Sequence, residues 1–164
     1  MANSAYKTAV SYLSRGIKSK RQVENKLKEK GFSNSEIEGT ISRIEDEGYI
    51  DDEYFAQVVS DHLILRGRGR EKVKSELRAK GISAEIISIV LEEKFDYESE
   101  IKRGLGLAVK IIEFDGLKKD GEVMMKKDRE KLIRKLMNRG YSPRYAVKIA
   151  EILNNSVDIF DVEL

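Results

Sequence analysis

The chain has 164 residues, 40% of them hydrophobic and 37% charged, with a net charge of +2, one histidine, one proline and no cysteine. That size suits one domain or one array with a continuous core, and the missing cysteines exclude disulfides and thiolate metal sites. A lone histidine without cysteine removes most nucleophilic catalysis, no apolar run approaches the ~18 residues of a membrane span, and residues 1–20 lack a signal-peptide core, so a soluble cytoplasmic protein is expected.

The first predicted helix runs from about Ala5 to Arg15, with Tyr6, Ala9, Val10 and Leu13 on its inner stripe, and Gly16 ends it. Ser19 is placed to cap a second helix, which carries the phrase Val23-Glu24-Asn25-Lys26-Leu27-Lys28-Glu29-Lys30-Gly31-Phe32-Ser33. Apolar residues four apart line one stripe, a cation suits the negative end of the helix dipole, and the glycine can take the left-handed conformation that closes the helix. Phe32 can then fold back, and Ser33 caps a third helix that bears Ile37, Ile41 and Ile44 and closes at Gly48.

A second unit opens with Asp51-Asp52-Glu53 ahead of Tyr54, Phe55, Val58, Val59, Leu63 and Leu65. It passes through Arg66-Gly67-Arg68-Gly69-Arg70 into Val73–Ser83, the phrase again, and then Ile86, Ile87, Val90 and Leu91. The third unit has a longer first part, from about Tyr97 to Leu117, and a loop near Asp120-Gly121. Its copy of the phrase is Leu132–Ser142, and Pro143 stands at the first position of the following helix, where a missing N–H costs nothing. The three phrase glycines are 50 and 59 residues apart, a period that indicates tandem copies of one small helical unit. The predicted fold is all-α, with repeats over residues 1–48, 49–95 and 96–153 and an acidic tail over 154–164. Each repeat alone is marginal in size, and stacking of neighbours is the remedy.

Charge follows the same period. Residues 15–31, 66–80 and 126–139 each carry seven Lys or Arg against two acids, while 36–53 and 85–100 are strongly acidic. The second helices are therefore basic and the third helices acidic, which becomes a basic stripe if the repeats stack in register. Aligning the phrases brings Lys20, Arg70 and Arg129 to one place, three residues before the first apolar anchor and near the helix N-terminus. A cation there opposes the dipole, and a local rule broken three times points to an anionic partner. Lys30, Lys80 and Arg139 recur at the other end, where the dipole alone accounts for them.

Other constellations favour structure over chemistry. Glu45-Asp46-Glu47 and Asp51-Asp52-Glu53 are read as helix ends and caps in preference to a Mg²⁺ site. Gly104-Leu105-Gly106 follows no strand and is read as a close helix contact, not a phosphate loop. His62 has no triad or metal partner nearby in sequence, and Tyr6, Tyr12, Tyr49, Tyr54 and Phe55 are assigned to core packing.

The stretch Glu47-Gly48-Tyr49-Ile50-Asp51-Asp52-Glu53-Tyr54-Phe55-Ala56 resembles the signature of the bacterial RecX family, as does Arg66-Gly67-Arg68-Gly69-Arg70 with the phrase that follows. The resemblance covers about Tyr6 to Leu153 and is looser in the third repeat. It implies three tandem three-helix repeats in an elongated, curved molecule. It also implies a non-enzymatic regulator that binds RecA–DNA filaments and most often inhibits RecA recombinase, ATPase and co-protease activity, and that binds single- and double-stranded DNA. No catalytic residue, metal or cofactor is implied. Lys20, Arg21, Arg68, Arg70, Lys72, Lys74, Arg78 and Arg129 are the candidate contacts, and a monomer without membrane association is expected. Two alternatives remain: a sequence-independent DNA-binding array without a filament partner, in which naked DNA competes as well as the filament, and a protein-interaction scaffold insensitive to salt.

Overall fold

The computed structural model describes residues 4–117, 119–120 and 123–155. Among these residues nine α-helices follow one another: α1 (Ala5–Leu13), α2 (Lys20–Glu29), α3 (Asn34–Asp46), α4 (Asp52–Leu65), α5 (Arg70–Ala79), α6 (Ala84–Lys94), α7 (Tyr97–Asp115), α8 (Lys126–Asn138) and α9 (Pro143–Asn155). The all-α array expected from the repeats is the fold. One departure lies between α7 and α8, where Lys119 pairs with Met124 and Asp120 with Val123 in a two-residue antiparallel ladder. A ladder this short leaves no alternating pattern to read, and only a loop was expected there; Gly121 lies outside the described residues. Helix α9 runs through Asn155, so the acidic tail expected from residue 154 lies, from 156 onward, outside the described residues.

Caps fix the helix ends. Ser19 and Ser33 form capping boxes with Gln22 and Glu36, each serine hydroxyl accepting from the third helical N–H. Ser83 Oγ accepts from the Ile86 N–H at 3.3 Å, and Pro143 opens α9. The three phrases end alike: Phe32, Ile82 and Tyr141 donate their N–H to Leu27, Leu77 and Leu136, five residues back, at 3.3, 3.2 and 3.2 Å. The glycines before them have φ of +83°, +84° and +95°. These are Schellman closures, and of the apolar residues after the glycines Ile82 and Tyr141 are buried and Phe32 packs on the first core.

The chain forms two compact units, Met1–Asp61 with Glu76–Val90, and His62–Ser75 with Leu91–Leu164. In the first, α1, α2 and α3 bury Ala9, Val23, Leu27, Ile37, Ile41 and Ile44. In the second, α7, α8 and α9 bury Ala108, Leu132, Leu136, Ala146, Ile149 and Leu153. All six phrase anchors (Val23, Leu27, Val73, Leu77, Leu132 and Leu136) are fully buried, as their four-residue spacing predicts.

Candidate functional site: the second helices and their joints

Within the first compact unit, the N-terminal end of α2 meets the closing turn of α5. Ser19, fully buried, donates its hydroxyl to the Lys80 carbonyl at 2.7 Å while capping its own helix. Arg21 lies so close over Gly81 that a Cβ there would sit 2.2 Å from its Cδ. Within the second unit, the N-terminal end of α5 meets the closing turn of α8 in the same way, with different atoms. The Gly69 N–H donates to the Arg139 carbonyl at 2.9 Å and the Glu71 N–H to the Gly140 carbonyl at 3.0 Å. A Cβ on Gly69 would lie 2.6 Å from the Gly140 carbonyl, and one on Gly140 would lie 2.5 Å from the Lys72 nitrogen. Hence Gly81 and Gly140: each supplies the left-handed turn and lets another helix end come down on that turn.

An acid two helices further along the chain, on α4 or α7, attends each of these helix starts. Asp52 Oδ1 accepts the Lys20 N–H at 2.9 Å, and burial pushes its carboxyl upward against that bond. Glu100 takes the corresponding place before α5 and is 1% exposed. Burial raises its pKa, opposed by the Arg70 amide and the guanidinium groups of Arg70 and Arg103, and neither carboxylate oxygen makes a hydrogen bond of good geometry.

The recurring cations of the sequence are half-buried and each lies against a neighbouring helix. Lys20 Nζ lies 2.9 Å from Glu45 Oε2 near the end of α3, and that bond raises the lysine pKa. Arg70 donates to the carbonyls of Leu91 at 2.8 Å and Phe95 at 3.4 Å, at the C-terminal end of α6. Arg129 stands 3.7 Å from Glu151 of α9. Each cation therefore ties a second helix to its own third helix, where it meets a carboxylate or the negative end of the dipole. Arg129 also departs from the expected position, because α8 opens three residues earlier, at Lys126. Of the other candidates, Arg21 and Arg78 are exposed, whereas Arg68, Lys72 and Lys74 are half-buried.

The remaining constellations resolve into structure. Glu47 accepts from the Tyr6 hydroxyl at 2.6 Å and pairs with Arg43 at 2.8 Å, and Asp51 accepts the Tyr54 N–H at 2.8 Å. Among the described residues no His, Cys, Asp or Glu cluster is placed to hold a metal ion. A Cβ on Gly104 would lie 2.3 Å from Ile149 Cδ1, the close helix contact expected of that glycine. Tyr6 and Tyr12 pack on the first core and Phe55 is buried. Tyr49 and Tyr54, assigned to the core from sequence, are instead 51% and 58% exposed: they flank Ile50 and Phe55, which take the inward positions. His62 is exposed on α4. Sequence reasoning missed Glu100 and Arg103, the latter donating to the Lys94 carbonyl at 2.8 Å. The available signal was that Glu100 follows Arg70 at nearly the spacing by which Asp52 follows Lys20.

Residues 5–43 match the family model of the first three-helix domain of RecX, and residues 51–91 match that of the second. The chain belongs to the RecX family. A relative named regulatory protein RecX from Listeria monocytogenes serotype 4a is 27% identical over 162 residues, which is 98% of this chain and 58% of the relative. Another of the same name from Bacillus subtilis is 33% identical over 138 residues, 84% of this chain and 50% of the relative. The chain thus spans about half the length of the curated RecX proteins it matches. The crystal structure of RecX from Lactobacillus salivarius superposes with a TM-score of 0.79 at 22% identity, covering 92% of this chain and 94% of that one, and establishes the shared fold. Among the described residues no helix is long and apolar enough to cross a membrane.

Proposed function

We propose that this chain is a non-enzymatic regulator that binds RecA–DNA filaments and inhibits the recombinase, with its ATPase and co-protease activities. The observation that carries this reading is the pair of RecX three-helix domains matched in tandem over residues 5–43 and 51–91. The repeats are taken as residues 1–48, 49–95 and 96–153, and the protein as a cytoplasmic monomer. Filament and DNA contacts are assigned to Lys20, Arg21, Arg68, Arg70, Lys72, Lys74, Arg78 and Arg129, of which Arg21 and Arg78 are exposed and the others half-buried. Lys20, Arg70 and Arg129 also bond to their own third helices, so removing their charge mixes binding with packing. A surface of this kind binds phosphates without reading sequence, and the affinity falls with salt.

The test is the single-stranded-DNA-dependent ATPase of RecA, titrated with this protein at fixed salt. Suppression well below one chain per RecA protomer indicates blocked filament growth, and suppression only near equivalence indicates coating of the filament. The double variant Arg21→Glu/Arg78→Glu should weaken suppression about tenfold or more with helicity unchanged, as loss of two phosphate-range charges implies. No suppression, together with tight binding to naked DNA, would replace this reading with the plain DNA-binding array.

A further inference from the structure

A groove of about 970 Å³ opens in the second compact unit, walled by the C-terminal end of α4, the middle of α7 and the closing turn of α8. Ile64, Leu107 and Ile111 line it, Ile111 buried and the other two half-buried. Leu65 and Phe114 line it too, and they are 88% and 91% exposed, the two most exposed large hydrophobic side chains among the described residues. Isolated apolar side chains in solvent need no explanation, but two beside one concave aliphatic wall form a patch that water disfavours.

The charged lining is one-sided. Arg66, Arg103, Lys110, Lys135 and Arg139 surround the groove, against one carboxylate, that of Asp115. That carboxylate is already held by Lys135 and by Lys131, the latter at 3.5 Å, and the Lys135 bond first, then the lysine charges, depress its pKa. Arg103 and Arg139 give a guanidinium N–H to the Lys94 and Arg66 carbonyls. Arg66 and Lys110 are exposed and make no side-chain ion pair or hydrogen bond among the described residues.

We infer that this groove docks an acidic segment of a partner protein that presents a pair of large apolar side chains. Aliphatic walls take apolar anchors, the cationic rim takes the flanking carboxylates, and a short amphipathic helix offers both at helical spacing. A nucleic acid fits less well, since stacking needs several aromatic faces and Phe114 is the single aromatic residue of the lining. The inference rests on the groove alone and requires no filament.

The test uses the full chain without RecA or DNA, so its failure leaves the filament reading standing. The probe is a short fluorescent peptide of glutamates with one Leu and one Phe a helical turn apart, followed by anisotropy. Saturable binding is expected, about tenfold weaker in Leu65→Ala/Phe114→Ala and again in Arg66→Glu/Lys110→Glu. All four side chains are exposed, so both variants should keep the wild-type circular dichroism and melting. Absent binding, binding unchanged in either variant, or equal binding of a lysine-for-glutamate peptide overturns the proposal. Displacement by oligothymidylate that depends on Phe114 overturns it in favour of single-stranded nucleic acid. A tenfold gain in probe affinity in Asp158→Asn/Asp161→Asn/Glu163→Gln assigns the groove to the chain's own acidic segment and overturns the partner reading.

Discussion

Two joints of this molecule occupy equivalent positions and are built differently. At the N-terminal end of α2 a serine hydroxyl reaches the Lys80 carbonyl, and the neighbour over Gly81 is the flexible Arg21 side chain. At the N-terminal end of α5 there is no hydroxyl, the main chain supplies both hydrogen bonds, and backbone lies against Gly69 and Gly140. The first joint can adjust to a substitution; the second has nowhere to move. Gly31 completes the comparison, with the same left-handed φ and nothing within 4 Å of its absent side chain.

These differences order the outcomes of substitution. Gly140→Ala combines the left-handed penalty with a methyl driven into the Lys72 backbone, and should cost about 3 kcal/mol or more in urea unfolding. Ser19→Ala removes a helix cap and leaves the Lys80 carbonyl unserved, for about 1–2 kcal/mol by the same measurement. Gly31→Ala carries the conformational penalty alone, about 1 kcal/mol. Equal losses for Gly31→Ala and Gly140→Ala would break the comparison, because the approach of a second helix end would then count for nothing. A loss in Ser19→Ala as large as that in Gly140→Ala would show the first joint to be as rigid as the second.

Much of the fold was legible because it is local. Anchors four apart, a glycine after the last turn and a serine beyond it each state their own conformation, and all six anchors are buried. The candidate site was legible only as recurrence. That Lys20, Arg70 and Arg129 recur could be read; that they turn to Glu45, to the end of α6 and to Glu151 depends on which helices stand side by side, which one sequence does not state. Tyr49 and Tyr54 failed for a related reason, since residues flanking a turn have no stripe to assign them a face. Glu100 was hidden because burying a carboxylate without a hydrogen bond runs against what composition leads one to expect.

The joint between α5 and α8 has one consequence of another kind. Its hydrogen bonds are written in main-chain atoms and its tightness in two missing methyl groups, so it asks almost nothing of the side chains around it. Such a coupling works like a standard thread: a three-helix segment can change most of its letters and still screw onto the next.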